Sequence, residues 1–185
     1  MINGERIYLK LPELSDLEKL HTLRNQEENW FFVKQYRPVS REENVEWIKK
    51  ATEKAQKMTD YKFVIVNKEI NEVIGVANAN QVDFINRTTK LSIILMKEFQ
   101  NKGYGTEAIK LLLDFSFNTL NLELVIIDVM SNNPRGIKVY EDKLKFKKDG
   151  TLRRKGFENN EYCDKIYLSM TKDEYMEGMK DGENN

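Results

Sequence analysis

The chain has 185 residues, enough for one domain that buries roughly 70% of its surface on folding. Its 30 Lys+Arg balance 30 Asp+Glu, so no sequence-wide charge draws it to nucleic acid, and 40% hydrophobic residues with only 3 Pro and 9 Gly argue against disorder. A lone cysteine, Cys163, excludes an internal disulfide and a multi-cysteine zinc site, and a lone histidine, His21, argues against a histidine-rich metal centre or a Ser-His-Asp triad. No metal is expected. No apolar run approaches the roughly 20 residues of a membrane span, and residues 1–11 lack a basic segment followed by a long apolar one. A cytoplasmic protein with no membrane partner is the expectation.

The first element is a short strand, Ile7 to Leu11, whose apolar and polar residues alternate up to Pro12. Ser15 and Glu18 stand at capping-box spacing ahead of Leu17, Leu20 and Leu23, and Ser40 with Glu43 repeats the device ahead of Val45, Trp47, Ile48 and Ala51. These predict two helices, with Trp30-Phe31-Phe32 between them. Phe63 to Val66, Val73 to Ala79 and Thr88 to Met96 then read as three strands of an antiparallel meander. Leu91 to Met96 is apolar on both faces, as a central covered strand would be.

That strand runs into Gln100-Asn101-Lys102-Gly103-Tyr104-Gly105. From there Ala108, Ile109, Leu112, Leu113, Ser116 and Leu120 recur at helical spacing, and Leu124 to Val129 forms another buried strand. Asn133 as cap and Pro134 at the first helical position start a further helix, which carries Ile137, Tyr140, Glu141 and Leu144 and ends near Phe146. Thr151 to Arg154 and Tyr162 to Met170 are strand candidates around a polar loop containing Gly156, Asn159 and Asn160. One domain is expected over residues 1–172, with residues 173–185 as a frayed tail.

Two glycines between a buried strand and a helix let the backbone approach a ligand closely, with the free N–H groups of the first helical turn aimed at it. A phosphate fits there, with the charge of Lys102 beside it. Gly103-Tyr-Gly105-Thr-Glu-Ala108 also satisfies the dinucleotide pattern G-x-G-x-x-A, with Asp128 at a fitting distance for a ribose, which keeps a dinucleotide-binding oxidoreductase as a distant alternative. The preceding meander of strands argues against it.

Gln100 to Gly105 resembles the Q/R-x-x-G-x-G/A pyrophosphate loop of the GNAT superfamily of acetyl-CoA-dependent N-acetyltransferases. Asn133-Pro-Arg-Gly136-Ile-Lys-Val-Tyr140-Glu141-Asp-Lys-Leu-Lys145-Phe146 is similar to that family's N-x-x-S/A-x-x-x-Y-E-K-x-G-F helix. The order of elements also resembles the GNAT fold, a mixed α/β architecture with a central, mostly antiparallel sheet and helices on both faces. Within it, ERIYLKLPELSDLEKL looks like the branch of ribosomal-protein N-terminal and spermidine acetyltransferases. Three residues depart from the pattern: Gly136 stands for Ser or Ala, Lys145 for Gly, and Lys90 where polyamine-acetylating relatives tend to carry Glu.

The resemblance implies acetyl-CoA as co-substrate and no metal. It places the coenzyme along Ile93 and Leu95, over Gln100, Asn101, Lys102, Gly103, Tyr104, Gly105 and Thr106, and beside Asn133. It makes Tyr140 the acid that protonates the departing thiolate, a role suited to a phenol whose ordinary pKa is near 10. Trp30, Phe31, Phe32 and Trp47 either line an acceptor pocket or pack the core. Asn78, Asn80 and Gln81 offer amides to an acceptor, while Asp83 is a weak candidate base and reads first as a solvated turn residue. His21 and Cys163 read as structural, and Arg153-Arg154-Lys155 as a solvated hairpin.

The implied reaction is acetyl transfer from acetyl-CoA to a primary amine, with a protein or peptide N-terminal amine as the leading acceptor. The alternative is a small-molecule amine, such as an amino sugar, polyamine or antibiotic. A non-catalytic acyl-CoA-binding module is a further distant alternative. A monomer or homodimer is expected, with no nucleic-acid partner, and polyamines should be poor acceptors because amides and Lys90, not carboxylates, are in place.

Overall fold

The computed structural model describes residues 1–27, 29, 37–158 and 160–183, with side chains as far as Met179. Trp30-Phe31-Phe32, Glu28 and Asn159 lie outside the described residues. Eight strands form one sheet: β1 (Ile2–Asn3), β2 (Ile7–Lys10), β3 (Tyr61–Asn67), β4 (Glu72–Asp83), β5 (Thr88–Leu95), β6 (Leu124–Met130), β7 (Lys147–Glu158) and β8 (Glu161–Thr171). Their order is β1-β2-β3-β4-β5-β6-β8-β7. Every pairing is antiparallel except β5 with β6.

Five helices are described: α1 (Leu17–Asn25), α2 (Arg41–Gln56), α3 (Tyr104–Asp114), α4 (Pro134–Lys138) and α5 (Lys172–Glu183). Leu20 and Leu23 of α1 and Ile48 of α2 pack with Val64, Val66, Val73 and Val76 on one face of the sheet. Ala108, Ile109, Leu112 and Leu113 of α3 pack with Ile65, Ala77, Leu91, Leu95 and Ile127 on the other. The sheet is therefore covered on both faces, and its central strands have near-continuous apolar sequence because neither side meets water.

Parallel strands need a crossover, which α3 supplies. The β5–β6 pairing lasts only three residues, Thr88 with Leu124, Thr89 with Val125 and Lys90 with Ile126. Beyond that point both strands line a cleft of about 1730 Å³, into which the backbone edge of Leu91–Leu95 opens.

Several expectations are corrected. The Ser15–Glu18 capping box does not form: Asp16 accepts from the Glu13 N–H at 2.8 Å, and Glu18 is drawn instead to Arg41 at 2.8 Å. The Ser40–Glu43 box does form, at 3.1 and 2.9 Å. β7 extends well beyond Thr151–Arg154 on both sides, absorbing Gly156. As an edge strand it is almost wholly exposed and has no apolar alternation to reveal it. The tail expected to fray is α5, started by a reciprocal cap between Thr171 and Glu174 at 2.9 and 3.3 Å and docked by Tyr175 on Phe117 at 5.0 Å.

Candidate active site

The glycine loop is held from three sides. The Gln100 amide donates to the Leu95 carbonyl at 3.1 Å, fixing the loop to the end of β5. Asn101 and Gly103 take left-handed conformations, φ 65° and 87°, so the chain turns sharply before α3. A Cβ on Gly105 would stand 3.0 Å from the Ile93 side chain, so this glycine lets α3 start close against β5. The third hold comes from far away in the sequence. Arg6 donates to the Lys102 carbonyl at 2.9 Å and pairs with Glu107 at 3.1 Å, and Glu107 also accepts the Arg6 and Ile7 N–H groups at 2.8 and 3.2 Å. Arg6 lies about a hundred positions earlier in the chain, and no local spacing marks it.

Of the residues expected at the coenzyme, Ile93, Leu95, Gln100, Asn101 and Gly103 line the cleft, as do Gly105, Thr106 and Asn133. The side chains of Lys102 and Tyr104 are directed elsewhere: the Lys102 ammonium stands 5.7 Å from the Phe99 ring, and the Tyr104 ring packs beneath Arg6 at 4.8 Å. The unpaired first-turn N–H groups of α3 still make this end of the cleft suited to an anion.

Across the cleft, the Asn133 side chain caps α4 by accepting from the Gly136 N–H at 2.9 Å. A Cβ on residue 136 would stand 2.7 Å from the Asn133 side-chain amide as it is placed here. After Lys138 the helix widens by one residue per turn, Leu144 N–H reaching the Val139 carbonyl at 3.0 Å, and the bulge presents Tyr140 to the cleft. Burial, and secondarily the negative charge of Asp128, push the Tyr140 phenol up to about 12. It is a protonated group at neutral pH.

Lys145 follows in a left-handed conformation, φ 63°, so the turn for which the family uses glycine is kept with a strained lysine. Relieving that strain with Lys145→Gly is expected to add about 1 kcal/mol and raise Tm by roughly 2–4 °C. Thermal denaturation against Lys145→Ala, which keeps the Cβ and should gain little, is the check.

The remaining wall faces α1 and α2. Lys62, Asn78 and Ser92 are neighbours across β3, β4 and β5. The Ser92 hydroxyl accepts from the amides of Asn78 and Asn80 at 3.1 and 3.2 Å, which leaves Asn78 Oδ1 buried without a partner. Lys90 does reach the cleft, but its charge is met by Asp128, which also binds the buried Lys165 at 2.6 Å. Burial alone would raise the Asp128 carboxyl; the two lysines outweigh it and hold it below its ordinary value.

Asp83 serves its turn, accepting the Ile85 and Asn86 N–H groups at 2.8 Å, and is no base in the cleft. Trp47 lines the cleft between Arg24 and Lys62. His21 contacts Asn25 and Asn44, Cys163 is buried, and Arg154 lies over Tyr162 on the exposed β7–β8 hairpin. Among the described residues no cluster of His, Cys, Asp and Glu can hold a metal, and no helix is long and apolar enough to cross a membrane.

A profile of the acetyltransferase (GNAT) domain matches residues 6–147. The spermidine N(1)-acetyltransferase of Vibrio cholerae is 27% identical over 173 residues, 91% of this chain and 96% of that protein. A putative ribosomal N-acetyltransferase of Bacillus subtilis, YdaF, is 30% identical over 106 residues, 57% of each chain. The solved spermidine N-acetyltransferase of V. cholerae in complex with CoA and spermine superposes with a TM-score of 0.83 at 25% identity, covering 94% of this chain and 99% of that one.

Proposed function

This chain belongs to the acetyltransferase (GNAT) family, and from that premise we propose that it moves the acetyl group of acetyl-CoA to the primary amine of a small molecule. The observation that carries the reading is Tyr140, a phenol kept protonated on the cleft wall across from the glycine loop. The coenzyme fits the residues present: first-turn N–H groups for its pyrophosphate, Gly105 admitting a close backbone, and the open edge of β5 for its extended arm. Acetyl-CoA supplies an activated thioester. The chain supplies donors along β5 to polarise the thioester carbonyl and a proton on Tyr140 Oη for the departing sulfur. Asn78 Oδ1, the orphaned acceptor, is suited to receive an N–H of the incoming amine.

A small molecule displaces the protein N-terminus as the leading acceptor. The relative that matches along almost its whole length is named for a small-molecule amine, whereas the one named for a ribosomal substrate matches over 57% of its length. Thiol release from acetyl-CoA across peptides, amino sugars, polyamines and amino acids tests this. At least one small amine is expected to exceed every peptide α-amine in kcat/KM by tenfold or more. The reverse ranking would return the N-terminal reading to first place.

A further inference from the structure

The cleft wall away from the glycine loop carries cations of two kinds. Lys54 is paired with Asp60 at 2.8 Å, and Lys90 and Lys165 share Asp128. Arg24 and Lys62 are different. They approach the same Trp47 ring, at 5.5 and 5.3 Å from its centroid, and among the described residues neither has a carboxylate at ion-pair distance. Arg24 is only 8% exposed, and its guanidinium donates to the neutral Asn44 amide oxygen at 2.8 Å.

Holding two cations on one aromatic ring, largely out of water, is unfavourable for folding, and such arrangements persist where a ligand supplies the missing charge. Burial is the largest cause lowering both groups' pKa; Lys54 and Arg24 lower Lys62 further while the more distant Asp60 raises it, and Arg24 is raised by Glu43 and lowered by Arg37, neither carboxylate being at ion-pair distance. Lys62 also sits in register beside Asn78, a residue of the same cleft wall whose Oδ1 is buried without a partner. An amine N–H at Asn78 therefore places the rest of a small acceptor against Arg24, Trp47 and Lys62.

Building on the acetyl-transfer reading above, we infer that Arg24 and Lys62 form an anion subsite, and that the acceptor carries a carboxylate or phosphate beside its primary amine. An anion there accepts charge-assisted hydrogen bonds from the Lys62 ammonium and from the Arg24 N–H groups not given to Asn44. A polycation meets repulsion at the same place. The Trp47 ring gives an apolar floor for a short linker between amine and anion.

The experiment is a matched series: 4-aminobutanoate, butylamine and 1,4-diaminobutane, with 2-aminoethyl phosphate against ethanolamine to separate carboxylate from phosphate. For each, kcat/KM is measured at saturating acetyl-CoA, and binding to the protein–CoA complex is measured by calorimetry. The anionic member is expected to lead its neutral partner by roughly ten- to a hundredfold, with the diamine last. Lys62→Gln should reduce that ratio about tenfold and Lys62→Arg should preserve it. Acetylation of butylamine or the diamine as efficiently as of both anionic amines overturns the inference and leaves the acetyl-transfer reading standing. So does an unchanged ratio in a folded Lys62→Gln protein. Tight binding of an anionic amine without turnover sustains the subsite but sinks the acetyl-transfer reading, and neither binding nor turnover anywhere in the series rejects both.

Discussion

Tyr140→Phe is expected to lower kcat by about 10²–10⁴-fold while coenzyme A affinity changes less than threefold. The substitution removes one hydroxyl and keeps the ring, so the edge-on contact with Phe146 at 6.1 Å and the backbone turn, in which Phe146 N–H reaches the Tyr140 carbonyl at 2.9 Å, both survive. What is lost, on the proposed reading, is the proton offered to the departing thiolate. The pH profile gives a second test. Because burial pushes Tyr140 up to about 12, the group stays protonated throughout the working range, and no alkaline fall should appear between pH 7 and 10. The parent rate should climb with pH instead, as the acceptor amine, with an ordinary pKa of about 10, loses its proton. A folded Tyr140→Phe protein within twofold of the parent, with chemistry limiting, removes the residue from the acid role.

Local patterns in the chain carry much of this architecture. The strand-loop-helix-strand unit from Thr88 to Met130 is readable because β5 and β6 bury one face fully and half-bury the other along the cleft, and α3 has a clean apolar stripe from Ala108 to Leu113. The Asn133-Pro134 start is equally local. What escapes the sequence is set by partners far away. Glu18 has the spacing of a cap but finds a better electrostatic partner in Arg41, and Arg6 acquires its role only once β2 lies beside α3. β7 hides because its neighbours are solvent on both faces, whereas Thr171 and Glu174 form a cap at ordinary spacing in a segment of otherwise polar character. Lys90 shows the limit most plainly. Its charge is visible in the chain, but its neutralisation by Asp128 follows from the parallel pairing of β5 with β6.

Asp128→Asn is expected to destabilise the fold by about 3–5 kcal/mol at neutral pH, lowering Tm by on the order of 10 °C. Asp128 is the common anion of two lysines, and Lys165 is only 5% exposed. Removing the carboxylate leaves a buried ammonium with nothing to offset its lost hydration, which costs far more than a surface ion pair is worth. The pH dependence has a definite sign. The folded carboxyl lies below its ordinary value, so its contribution is complete above the unfolded pKa of about 3.9 and is lost as pH falls through the lower folded value. The gap between parent and variant should therefore be flat from pH 5 to 8 and close only in stronger acid. Two companions separate charge pairing from shape. Lys165→Met alone removes the more buried cation, and Asp128→Leu with Lys165→Met removes both charges, so the double variant should recover much of the stability that Asp128→Asn loses. Because Asp128 also helps to raise Tyr140, its loss should lower the phenol's pKa, though burial, the larger cause, keeps the proton in place at neutral pH. A Tm within 2 °C of the parent for Asp128→Asn would mean that water or another group compensates Lys165, and that the ion pairs of Asp128 with Lys90 and Lys165 do not stabilise β5, β6 and β8 beside the cleft.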